Sequence, residues 1–235
     1  MISTLGLSLL FGFGPPLVWL TLWLQEDVNH PEPRSAIIKT FTLGGVAVFI
    51  AAVTEKLIEP LLQDQIFYLF LSWSVIEEGL KLLAVLLALH YFRAPIDEPI
   101  DWLIYMITAA LGFAAVENTL FLLEPFSSSY MLDGFVLSNL RFMGATVLHL
   151  VASAAHGAAL GLCFYLSNEI KYRYYVIGVS TAVIVHVLFN YLLVIGNNSA
   201  TALIAVFGGV WLLILPLILI FEKIKTIKNS RNLIQ

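Results

Sequence analysis

Seven apolar runs, separated by short polar or proline-broken stretches, account for most of the chain. They cover roughly residues 3–24, 36–54, 66–92, 99–123, 139–167, 174–195 and 201–222. A helix needs about 20 mostly apolar residues to cross a bilayer, and the runs are of that order. The pattern predicts an all-α, polytopic membrane helix bundle of about seven transmembrane helices. It forms one domain over residues 1–235, with its polar positions concentrated between about 66 and 195. The longest polar loop, 25–35 (QEDVNHPEPRS), is broken by prolines. The stretch 126–138 (FSSSYMLDGFVLS) reads as an interfacial segment leading into the fifth span. The first run lacks a basic leader and contains Gly14-Pro15-Pro16, so it reads as a kinked first span rather than a cleaved signal.

Composition agrees with the pattern. Hydrophobic residues make up 60% of the chain and charged residues 12%, against about 45–50% and about 25% in soluble domains. The bilayer is therefore the first partner, and nothing suggests nucleic-acid binding. The single cysteine, Cys163, excludes an intramolecular disulfide. Basic residues sort by loop. With seven spans, one side holds Arg34, Lys39, Arg93, Lys171, Arg173, Lys223, Lys225, Lys228 and Arg231, and the other holds Lys56, with Arg141 if span five starts that early. Positive residues favour the cytoplasm, which predicts an outside N-terminus and a cytoplasmic C-terminus.

A few ionisable groups interrupt the spans. Span three carries Glu77, Glu78 and Lys81; span four, Glu117 and Asn118; span five, His149 and His156; span six, His186 and Asn190. Such groups cost about 2.5–3.5 kcal/mol each on insertion scales and mark function by default. Counted from the outer span ends, Glu77 is about eleven residues in, Glu117 about six, His149 about ten and His186 about nine, or roughly 16 Å at most. Four helices thus place polar groups at one level in the outer membrane half, which predicts one cavity open to the outside. Lys81 reaches Glu78 at i+3 and Glu77 at i+4. His149, Ser153 and Gly157 form a stripe at four-residue steps whose small members admit a neighbouring helix. Taken alone, His156 reads as a packing histidine, Arg141 as an interfacial anchor, and Gly44-Gly45 and Gly208-Gly209 as packing features.

The chemistry suits amide hydrolysis. A glutamate in a dry cavity can activate water, two carboxylates in unequal surroundings can divide acid and base roles, and His186 and Asn190 can donate to an oxyanion. No Gly-x-Ser-x-Gly, His-Glu-x-x-His or Gly-x-Gly-Asp setting is present. The residues that are present resemble the PrsW family of intramembrane proteases. "EEGLK" (Glu77–Lys81) matches its E-E-x-x-K motif, "FAAVEN" (Phe113–Asn118) its F-x-x-x-E-N motif, and "HVLFN" (His186–Asn190) its H-x-x-x-N motif. "HLVASAAHG" (His149–Gly157) looks like its third motif. The related CAAX prenyl proteases and the wider CPBP group typically show E-E-x-x-x-R and F-x-x-x-H, so Lys81 and Glu117 place this chain on the PrsW side.

The resemblance implies a glutamic-type protease of a prokaryotic cell membrane that cuts membrane-anchored proteins, anti-sigma factors among them. The catalytic candidates are Glu77, Glu78, Glu117, His149, His186 and Asn190, supported by Lys81, Asn118 and Ser153. Glu N-terminal to Lys at i,i+4 is the favourable pairing; this assigns Lys81 to Glu77 and leaves Glu78 as the favoured base. No cofactor is expected on this reading. Two alternatives stay open. Glu78, Glu117, His149 and His186 are acceptable zinc ligands, and intramembrane Glu and His also mark proton-coupled transporters. The chain has neither the inverted repeat nor the paired broken helices typical of many transporters.

Overall fold

The computed structural model describes residues 3–26, 30–127, 131–197 and 199–228. Among these, all regular structure is helical: α1 (Thr4–Gln25), α2 (Arg34–Leu62), α3 (Ile66–Phe92), α4 (Asp101–Ser127), α5 (Met131–Arg141), a π-helical turn (Phe142–Thr146), α6 (Val147–Leu162), α7 (Asn168–Ile195) and α8 (Ala200–Lys225). α5, the π turn and α6 are continuous, so the chain builds seven long rods. Six are long and apolar enough to cross a membrane, including the 32-residue rod Met131–Leu162. The seventh, α3, has 27 residues and carries Glu77, Glu78 and Lys81 in its interior. The protein is a multi-pass helical bundle, as the apolar runs predict.

α4 is the central helix. Every residue from Leu103 to Ala115 is buried, which is the expected fate of a helix that is hydrophobic all round. α1, α2 and α6 pack directly on it. Its start is fixed by Asp101, whose Oδ2 accepts from the backbone N–H groups of Asp97 (2.8 Å) and Glu98 (2.7 Å). The Tyr105 hydroxyl, one turn on, donates to Glu32 in the loop before α2. Burial pushes the Glu32 carboxyl up to about 8, opposed by that hydroxyl and reinforced by Asp101. α3 stops where Arg93 turns left-handed (φ 49°) and Pro95 follows.

Small residues let the rods touch. A Cβ on Gly44 would sit 2.1 Å from the Ala109 carbonyl oxygen, and one on Gly112 would sit 2.0 Å from that of Phe41. α2 and α4 therefore meet backbone to backbone. Gly157 lies under Leu103 and Trp102 in the same way, so the neighbour admitted by the His149/Ser153/Gly157 stripe is α4. The Gly208-Gly209 reading is corrected: nothing lies within 4 Å of a Cβ at either position.

Two boundaries differ in ways that matter. α2 runs two turns beyond the expected residue 54, to Leu62, because nothing before Gln63 breaks the helix; Pro60 is accommodated inside it. Residues 131–138 are not a separate interfacial segment but the first turns of the fifth rod, while 128–130 of that stretch lie outside the described residues. Gly112→Val is expected to lower bundle stability by about 1–3 kcal/mol or more through overpacking, whereas Gly209→Ala leaves it unchanged. Thermal unfolding of the two purified variants in detergent checks this.

Candidate active site

Four rods deliver polar residues expected from the sequence to one cavity of about 970 Å³. Its wall includes Glu77 from α3, Glu117 from α4, Arg141 from α5, His149 from α6, and His186 and Asn190 from α7. The rest is mostly apolar and aromatic, with Phe70, Trp73, Phe113, Phe121 and Phe207. The C-terminal parts of α2, α4 and α7 line it together with the N-terminal parts of α3 and α8. The cavity thus lies toward one end of the bundle, the end sequence analysis assigns to the outside. Glu78, Lys81, Asn118 and Ser153 stand behind this wall.

Lys81 is the anchor of the arrangement. It is fully buried. Its Nζ lies 2.6 Å from Glu78 Oε1, 2.8 Å from His149 Nδ1 and 3.5 Å from Glu77 Oε2, and it sits 4.6 Å from the centre of the Phe113 ring. Glu78 accepts in addition from Ser153 Oγ (2.9 Å) and faces His186 Nδ1 (2.9 Å). This corrects the expected pairing of Lys81 with Glu77. The i,i+4 preference holds for an isolated helix, but here α6 and α7 supply Ser153 and His186, which fix the Glu78 carboxylate over Lys81. Glu77 is left with a buried Oε2 that has no hydrogen-bond partner. That atom lies 3.8 Å from His149 Nδ1 and 3.8 Å from His186 Nε2.

The ionic partners assign the histidine protons. Lys81 can only donate, so His149 Nδ1 accepts and Nε2–H donates to Glu117 Oε2 at 3.1 Å. The Glu78 carboxylate can only accept, so His186 Nδ1 carries its proton and Nε2 turns a lone pair toward Glu77. In its neutral form His186 then has no proton left for an oxyanion. Asn190, four residues on, lines the cavity with no hydrogen bond among the described residues.

Arg141 is more than an interfacial anchor. Its Nη2 pairs with Glu117 Oε2, its Nε donates to Asn118 Oδ1 (2.5 Å), and its guanidinium covers the Phe121 ring at 4.0 Å. Asn118 Nδ2 in turn donates to Thr146 Oγ1 (2.9 Å). The π turn between Arg141 and Thr146 aims both residues at Asn118; such turns recur at functional sites. Read at the outer end of the 139–167 run, Arg141 shows no partner, because Glu117 lies on another rod. His156 is buried, lies against Tyr175 (5.8 Å) and does not line the cavity. Glu55 does line it, and no motif or span assignment pointed there.

The ligand atoms of Glu77, His149 and His186 lie within 4.8 Å of one another, all three residues buried. The donor set and the orphaned Glu77 oxygen fit a divalent ion. Glu78 behind His186 is the carboxylate support that metal-binding histidines usually have, while Lys81 on His149 Nδ1 occupies the lone pair such an ion needs.

Fold and cavity define a polytopic helical membrane protein with a polar chamber inside the bundle. Comparison with known proteins narrows the class. A family model described as "PrsW family intramembrane metalloprotease" matches residues 32–220. Protease PrsW of Bacillus subtilis (strain 168) is 30% identical over 187 residues, covering 68% of this chain and 84% of the relative. Protease PrsW of Clostridioides difficile (strain 630) is 27% identical, covering 82% of each chain. Protease PrsW of Shouchella clausii (strain KSM-K16) is 24% identical, covering 87% of this chain and 92% of the relative. No solved structure matches. The chain belongs to the PrsW family of intramembrane proteases.

The two adjacent glutamates are expected to separate in a stability measurement. Glu78→Leu leaves the Lys81 ammonium without its closest partner and should destabilise the bundle by about 3–5 kcal/mol. Glu77→Gln removes no hydrogen bond and gives up only the longer 3.5 Å ion pair with Lys81, which keeps Glu78, so it should cost clearly less than Glu78→Leu. Thermal unfolding in detergent distinguishes them.

Proposed function

We propose that the protein is an intramembrane endopeptidase that hydrolyses peptide bonds of membrane-anchored protein substrates, with Glu77 as the group that activates water. The observation that carries this is the Glu77 Oε2 atom, buried, without a hydrogen bond and facing the cavity. It replaces Glu78, the favoured base on sequence grounds, because Lys81, Ser153 and His186 hold Glu78 on both oxygens.

A water donating to Glu77 Oε2 and to the His186 Nε2 lone pair would aim its own lone pair at a carbonyl carbon. Glu77 takes one proton as the C–O bond forms, and the Asn190 amide donates to the developing oxyanion, where a dry wall makes it most effective. The C–N bond then breaks, and the proton on Glu77 passes to the leaving amine. Lys81 Nζ lies 3.5 Å from Glu77 Oε2 and gives it a cationic neighbour. Arg141 and His149 position Glu117 at the wall.

A second reading is favoured by the description of the matching family as a metalloprotease and by the Glu77/His149/His186 cluster. There a divalent ion would be held by Glu77, His186 and, with Lys81 turned away, His149, and would acidify water and polarise the carbonyl. The first reading is preferred because Lys81 fills the His149 lone pair. It predicts that cleavage survives chelation and that purified active protein carries well under one zinc per chain. Chelator-sensitive cleavage restored by zinc reverses the choice.

Co-expression with tagged single-span proteins tests the activity. Glu77→Gln should lower the cleavage rate about 10²–10⁴-fold, the range of a general base, while the protein still inserts and folds. Full activity in that variant would overturn the assignment.

The cavity end is proposed to face outward, with the tail after α8 in the cytoplasm, as the basic residues sort. Cysteines at Asn197 and at Lys228 in a Cys163→Ala background check it. A membrane-impermeant maleimide on intact cells should label the first and spare the second.

A further inference from the structure

The extension of α2 to Leu62 brings Glu55, Lys56 and Glu59 into the cavity wall. Lys56 and Glu59 are exposed at the rim. Glu55 lies deeper, and its Oε1 is buried without a hydrogen-bond partner. No ion pair reaches Glu55 among the described residues; Arg141 is engaged by Glu117 and Lys81 by Glu78, and Lys56, the next residue along α2, is exposed at the rim and makes no ion pair with Glu55. Glu55 stands within electrostatic reach of Glu77 and Glu117, so it adds negative charge where two acids already stand. A carboxylate on a spanning helix is costly without a partner, and no packing role accounts for this one. The surrounding wall is aromatic and aliphatic, with Phe70, Trp73 and Leu137 among its members.

We infer that Glu55 is a specificity-determining residue that receives a lysine or arginine side chain of the substrate. The substrate class is then a membrane-anchored chain whose apolar run carries one basic residue close to the cleaved bond. The apolar wall holds the run, and Glu55 holds the cation. The arrangement does two things at once: it supplies the missing partner of Glu55, and it fixes the register of an otherwise featureless apolar segment against Glu77. Register matters because a misplacement of about 1 Å can cost 10²-fold in rate. This inference rests on the protease reading of the cavity.

The test uses the full-length protein in detergent or liposomes and a series of single-span substrates. A neutral apolar substrate is the reference. Lysine, glutamine or glutamate replaces each residue in turn along the half of its span that would face the cavity. In the wild-type protein, lysine at one position should raise kcat/KM about 10- to 30-fold over glutamine there, with glutamate below both. The lysine-to-glutamine ratio should fall to near one in Glu55→Gln, and Glu55→Lys should favour the glutamate substrate. Raised salt should reduce the wild-type preference. An absence of lysine preference at every position in the wild-type protein overturns the inference without needing either variant, as does a preference that Glu55→Gln leaves intact. If the wild-type protein cleaves no substrate, not even the neutral reference, the protease reading of the cavity fails and the inference fails with it.

Discussion

An ammonium group buried inside a spanning helix constrains everything around it. Lys81 has no access to water, so each of its donors needs a protein partner or an electron-rich face. Its own helix gives Glu78 and Glu77, α6 gives His149, and α4 gives the Phe113 ring. One cation therefore fixes how three helices sit, and Glu78 draws in α7 through His186. Displacing one of those helices would leave a charge unpaired in a medium where an uncompensated ion costs several kcal/mol. The catalytic candidates are held by this network rather than by loops, which is the condition for a site of fixed geometry.

What a sequence shows is local, and the legible parts of this protein are the local ones. Run length gives the spans, and counting along each helix gives the common level of Glu77, Glu117, His149 and His186. The choice between Glu77 and Glu78 is not local. It depends on Ser153 and His186, 75 and 108 positions from Glu78, which override the i,i+4 preference of an isolated helix. Arg141 was hidden for a similar reason: its partner Glu117 lies 24 positions away on another rod. Glu55 was hidden because the apolar run ends at residue 54 while the helix does not. Hydropathy marks where a membrane ends, not where a helix does.

Two glutamates adjacent in sequence point about 100° apart on a helix, and here that angle separates two environments. Glu78 faces inward to three donors and cannot leave them. Glu77 faces the cavity with one oxygen unsatisfied. Unequal surroundings are how one pair of identical groups acquires two tasks. The same network sets the imidazoles. His149 is held with its lone pair on Lys81 and its proton on Glu117, while His186 is held the other way round relative to the cavity. In its neutral form His186 would accept from a water rather than donate to an oxyanion, which is why the proposed mechanism gives that role to Asn190.

The pairing of charges sorts the carboxylates by task. Glu78 has Lys81 on its own helix and Glu117 has Arg141 across from α4 to α5, each cation within contact distance. Glu77 and Glu55 have buried oxygens with no hydrogen bond, and both line the cavity. In water this distinction would mean little, because solvent satisfies any carboxylate. Inside a spanning bundle an unsatisfied oxygen carries a standing cost, and in these two residues it faces a cavity where something that enters can relieve it. On the proposed mechanism a water would relieve Glu77 and a substrate cation would relieve Glu55. On that proposal the acids with an unbonded oxygen, rather than the most heavily bonded ones, would mark where substrate and water meet the protein.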